Sequence, residues 1–265
     1  MRYRLSQDAR PQALTLLIAA TISVVLWFIP YAEFLTYPFR IFVTFIHEGG
    51  HALAALLTGN SVRSLAVHIN GEGLTTSTGT GGIISRIFVS SAGYLGSMAF
   101  GALLLILIRK AIAARLVLLA SGIYVFVMTL IFGFMTPIFS FDNWSGIPFT
   151  LFAGTLIAAG LVLIARFASA RVATFFVSFL AVQCVLNALF DLKDLLFLSS
   201  PFEREVSHTD AFNMAQATGI PAILWAGIWI IIAFLILWFA MRLYVAGRDQ
   251  SFQADLPFEE TPPPV

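Results

Sequence analysis

The chain has 265 residues, of which 59% are hydrophobic and only 11% charged. A soluble domain carries about 25% charged residues, so this composition excludes one, and a net charge of +1 without a basic stripe gives no footing for nucleic acid. Cys184 is the single cysteine, which excludes an internal disulfide framework and a cysteine-based metal site.

Residues 1–10 form a short basic tail. The run 11–32 lacks Asp, Glu, Lys and Arg; it is too long for the core of a signal peptide and is read as a retained first span. Pro30 and Pro38 bracket a loop carrying Glu33, and a second span begins near Arg40 and ends at Thr58-Gly59-Asn60, where Gly and Asn stop a helix. The stretch 61–82 alternates Val62, Leu65, Val67 and Ile69 with polar residues and then crowds five glycines together, a pattern of short strands or a hairpin. Five further charge-free runs follow, at 87–108, 116–141, 143–165, 172–190 and 211–241. Each is near or above the roughly 20 residues that a helix needs to cross the bilayer core. In the third span, Gly93, Ser97 and Gly101 form a small-residue series that lets helices approach closely. Residues 248–265, with three consecutive prolines at 262–264, are expected to be disordered.

The expected fold is an all-α polytopic membrane protein with about six to seven transmembrane helices and a small Gly-rich β-hairpin-like insertion. Residues 11–247 form one membrane-embedded domain. The basic clusters Arg2/Arg4/Arg10, Arg109/Lys110/Arg115, Arg166/Arg171 and Arg242/Arg248 share one side only if residues 33–108 make one net crossing. That expectation makes either the second segment or the Gly-rich stretch re-entrant.

Within the second apolar stretch stands His47-Glu48-Gly49-Gly50-His51. Residues four apart share a helix face, so both imidazoles reach a single ion, and the adjacent Glu48 is placed as a general base. Zinc suits neutral imidazole ligands and keeps a position open in catalytic sites. With 4 His in the whole chain, such a match is expected about 0.002 times by chance. Ionisable groups at membrane depth cost roughly 2.5–3.5 kcal/mol each, and two glycines weaken the helix by about 1 kcal/mol each. Such a cluster is too costly to be filler.

A catalytic zinc site has a third protein ligand. His68 and His208 fall in the Gly-rich segment and a polar loop and read as ordinary loop histidines. At the end of the sixth span, Asn187, Asp191 and Asp194 lie near one helical face, where a carboxylate is placed to complete a His₂Asp site.

Phe45-Ile46-His47-Glu48-Gly49-Gly50-His51-Ala52-Leu53 resembles the zinc-binding helix of the site-2 protease family of intramembrane metallopeptidases, and within it the compact peptidase M50 B-like branch. The Ala92-Gly93-Tyr94-Leu95-Gly96 and Phe190-Asp191-Leu192-Lys193-Asp194-Leu195 segments add to the likeness. So do Thr209-Asp210-Ala211 and Gly219-Ile220-Pro221 before Trp225, and together the similarity covers roughly residues 41–243. The resemblance implies His47 and His51 as zinc ligands, Glu48 as catalytic base and a later Asp as third ligand. Asp191, nearer the apolar run, is expected in that place with Asp194 as the alternative, and Asn187 and Asp210 as supporting residues.

The function so implied is an intramembrane zinc metallopeptidase that hydrolyses peptide bonds of membrane proteins within or near the bilayer. The Gly-rich segment would hold an unwound substrate as an added strand. The cofactor is Zn2+, the partners are a membrane-protein substrate and the lipid bilayer, and the compact size fits a bacterial inner membrane. The competing expectation is a non-proteolytic zinc-binding membrane scaffold or chaperone.

Overall fold

The computed structural model describes residues 10–79, 81–109, 113–199 and 209–245. The tails at 1–9 and 248–265, and with them Arg2, Arg4 and Arg248, lie outside the described residues, as do Lys110 and His208. In chain order the elements are α1 (Arg10–Phe28), α2 (Glu33–Leu57), β1 (Ser61–Val67), β2 (Gly73–Thr78), α3 (Ile83–Arg109), α4 (Ala114–Leu130), α5 (Thr136–Ser140), α6 (Ile147–Phe167), α7 (Ala170–Leu198), α8 (Asp210–Thr218) and α9 (Ala222–Val245). Among the described residues, five helical segments are long and apolar enough to cross a membrane: Ile83–Ile108, Ala114–Ser140, Trp144–Phe167, Ala170–Leu198 and Ala222–Tyr244. A shorter apolar stretch, Ala13–Leu26, lies in α1. The chain is an integral membrane protein, mostly helical, with one small antiparallel sheet.

Three expected spans take a different form. The run 211–241 is not one helix. Gly219 adopts φ +73°, a left-handed conformation that glycine reaches without strain, and Pro221 cannot donate to a preceding turn. The break leaves α8, nine residues long and started by Thr209, whose side chain accepts the N–H of Phe212 at 3.2 Å. The run 116–141 is continuous but changes pitch: Ile131–Met135 form a π turn, in which Thr136 N–H reaches the Ile131 carbonyl immediately before Pro137. The second helix starts at Glu33, not near Arg40, so Pro38 sits in its second turn and not in a loop.

Helix α2 is 25 residues long, or about 37 Å at 1.5 Å per residue. Its contacts with α3 pair His51 with Val89, His47 with Tyr94, and Phe42 with Phe100, so the two helices run antiparallel. Helix α2 is thus one continuous helix packed antiparallel to α3. It is the hairpin that folds back: Tyr37 donates to the Ile69 carbonyl (2.6 Å), Thr44 to that of Gly71 (2.9 Å), and Thr75 to that of Glu48 (3.1 Å). Its tip thus lies level with the first half of α2, and β2 passes Glu48.

The strand β1 is the inner one. Ser64, Leu65, Ala66 and Val67 are all buried, and the Val67 N–H donates to Thr150 Oγ1 of α6 at 2.8 Å. In β2, Leu74, Ser77 and Thr78 are exposed, which leaves it as the open edge of the sheet. Lipid is as apolar as leucine, so helix association rests on close packing and buried hydrogen bonds. Gly50 provides the closest approach, set directly against the backbone oxygen of Ala92. A second apolar cluster gathers Met98, Leu192, Ala211, Met214 and Trp229 from α3, α7, α8 and α9. This cluster seats α8, because Ala211 and Met214 are fully enclosed one residue and one turn beyond Asp210.

Candidate metal centre

One helical turn of α2 brings the two imidazoles together, with His47 Nε2 and His51 Nε2 3.1 Å apart. Each ring is oriented from α3. His51 Nδ1 lies 2.7 Å from the Val89 carbonyl oxygen, which needs a donor, so Nδ1 carries the proton and Nε2 offers its lone pair. His47 meets the edge of Tyr94, with ring centroids 4.7 Å apart and planes at 86°.

The third group arrives from a different part of the chain. Asp210 begins α8, and its Oδ2 lies 3.5 Å from His47 Nε2 and 3.2 Å from His51 Nε2. Burial alone would raise the Asp210 carboxyl. The charge on His51 and hydrogen bonds from both imidazoles outweigh it and hold the group well below the usual carboxylate range. The acid is therefore kept ionised, the form that ligates a cation.

These ligand atoms all lie within 4.8 Å of one another, and His47, His51 and Asp210 are the one such group among the described residues. Two imidazole nitrogens and an ionised carboxylate at this spacing can share one cation once the Nε2 atoms are free of protons. The donor set of two nitrogens and one oxygen is the kind that zinc takes in catalytic sites. The two rings fit there because Gly93 of α3 has no side chain where it faces both Nε2 atoms. The residues present fit a zinc ion.

A sequence model of the peptidase M50B-like family matches residues 16–240. The chain belongs to the peptidase M50B-like family. No curated relative and no solved structure matches it.

In this M50B-like chain the sequence-predicted residues divide into two sets. His47, Glu48 and His51 lie together as expected, with Glu48 buried at 5% exposure and set against the backbone of Gly73 in β2. Asp191 does not join them, and Asp210 stands where Asp191 was expected. On α7, Leu192 and Leu195 turn into the helix bundle and Asp191 stays accessible; it is near enough to His47 and Arg40 for their charges to act on it, yet its carboxylate lies outside the ligand group. Asp194 is engaged with Lys193 at 2.8 Å, a pair more than half exposed. Asn187 donates to the Gln183 carbonyl at 2.8 Å and to its Oε1 at 3.3 Å, away from the imidazoles. His68 lies in the hairpin turn, its N–H bonded to the Glu72 carbonyl. The sequence signal for Asp210 was the Thr-Asp helix start followed by Gly-Ile-Pro, which together announce a short separate helix.

Proposed function

We propose that this M50B-like protein is a zinc metallopeptidase that hydrolyses peptide bonds of membrane proteins within or near the bilayer. The observation that carries the reading is the convergence of His47, His51 and Asp210 beside the buried Glu48. A zinc ion held by these three side chains supplies Lewis acidity toward a water and toward the carbonyl to be cleaved. Glu48 accepts the proton that the attacking water gives up and returns it to the departing amine. Val89 and Tyr94 keep the imidazoles from turning away.

The hairpin supports a role in holding substrate. His68 and Glu72 exchange a backbone hydrogen bond, so the pairs Val67↔Gly73 and Leu65↔Thr75 aim their backbone groups outward. On the β1 side this edge is covered by Thr150 and Ser140. On the β2 side it offers Gly73 and Thr75, next to Glu48, to an extended segment of a substrate. A bacterial inner membrane is the setting this compact chain fits.

The experiment is Glu48→Gln. Gln keeps the size of Glu but accepts no proton, so cleavage should fall about 10²–10⁴-fold while zinc stays bound. Equal cleavage, or equal complementation of a null strain, by the parent and Glu48→Gln would instead establish a zinc-binding scaffold.

A further inference from the structure

We infer that Gly93 is a positioning residue for the metal: its missing side chain leaves the space in which both imidazoles can stand with their Nε2 atoms turned to Asp210. The inference rests on the metal centre proposed above and goes beyond it, since Gly93 ligates nothing. A Cβ built at this position would collide with His47 Nε2 and His51 Nε2 together and would lie 2.6 Å from His47 Cε1. All three of its nearest atoms are thus imidazole atoms, and two of them are the nitrogens that face Asp210. A methyl group there would push both nitrogens off the positions from which they face Asp210. The rings have little freedom to make way, because His51 is tied to the Val89 carbonyl and His47 lies edge-on against Tyr94.

Close helix packing does not account for this glycine. In the α2–α3 contact that role falls to Gly50, whose Cβ would strike the Ala92 backbone oxygen. Gly96, one turn further along α3, is the internal comparison: a Cβ there meets only Gly50 Cα at 3.7 Å, an ordinary contact. The two glycines of the same segment therefore separate by function. Gly96 tolerates a methyl group and Gly93 does not, and at Gly93 the obstacle is the metal's own ligands.

The test compares the parent, Gly93→Ala and Gly96→Ala as full-length purified proteins, stripped of metal and titrated with zinc. Melting is recorded before zinc is added. Gly93→Ala should bind zinc about 10–100-fold more weakly than the parent, while Gly96→Ala should melt and bind like the parent. Zinc bound by Gly93→Ala with the parent's affinity overturns the inference. If Gly93→Ala is unstable, adding His47→Ala and His51→Ala must restore melting to that of the His47→Ala/His51→Ala variant, because together these changes remove both obstructing rings. No recovery in the triple variant means that the methyl group collides with the helix packing, which also overturns it. A parent that binds no zinc removes the metal centre itself, an outcome distinct from a Gly93→Ala variant that binds normally.

Discussion

His51 Nδ1 lies 2.7 Å from the Val89 carbonyl oxygen, so α3 determines which nitrogen of α2's second imidazole faces Asp210. A pre-oriented pair of nitrogens beside an ionised carboxylate exists only in the folded chain, so a cation that binds there stabilises the native form. Stripping the protein of metal should therefore lower its unfolding temperature, and zinc at 100 times its dissociation constant should return about 2.7 kcal/mol. Thermal unfolding in detergent, with and without chelator, measures this. Identical melting in both would mean that no metal binds to the native form.

Asp210 and Asp191 make opposite predictions. Asp210→Ala removes the one carboxylate that meets both imidazoles, and purified protein should carry no stoichiometric zinc. His47→Ala and His51→Ala should do the same. Asp191→Ala should keep its zinc, because Asp191 lies on an exposed position of α7 outside that group. Metal analysis decides between them, and zinc lost from Asp191→Ala but kept in Asp210→Ala would reverse the assignment.

The contrast shows what the sequence made legible. His47, Glu48 and His51 were readable because their geometry is set inside one helical turn, and the alternation from Val62 to Ile69 followed by glycines was readable as a hairpin for the same local reason. Asp210 belongs to a helix far along the chain, and only tertiary packing of Ala211 and Met214 against Trp229 and Leu192 brings it to the imidazoles. Nearness to an apolar run brings Asp191 within electrostatic reach of His47 but does not tell which carboxylate touches both imidazoles. The span at 211–241 was overextended because charge counting does not register a left-handed Gly219 or the following Pro221.

Gly73→Ala should impair the chemistry and spare the metal. A Cβ on Gly73 would lie 2.6 Å from Glu48 Cδ, and its three nearest atoms all belong to Glu48. The carboxylate is buried and has to shift to make room. Displacing a reacting group by about 1 Å costs on the order of 10²-fold in rate. Cleavage should drop by that order while zinc content stays at the parent's level. Unchanged cleavage would separate Glu48 from the reaction, and lost zinc would show that the hairpin supports the ligands.

Thr150→Val tests whether the hairpin's position depends on its anchor in α6. The Val67 N–H donates to Thr150 Oγ1 at 2.8 Å, and the same hydroxyl donates to the Gly146 carbonyl at 2.7 Å. Both residues are completely buried, at 0% exposure, so no water can replace the lost acceptor. Valine fills nearly the same volume but offers no lone pair, and an orphaned buried N–H costs about 1–3 kcal/mol. The metal ligands touch neither residue, so zinc content should be unchanged. Exchange of the Val67 amide with solvent deuterium should accelerate, as should exchange along β1, and the melting midpoint should fall. The control is Thr36→Val, which removes a hydroxyl bonded to the Glu33 carbonyl at an exposed position and should leave melting and exchange as they are. If β2 guides an extended substrate past Glu48, Thr150→Val should also raise KM more than it lowers kcat, since the chemistry is intact and its guide is loosened. A fall in kcat at unchanged KM would place the hairpin in the reaction step and not in substrate binding.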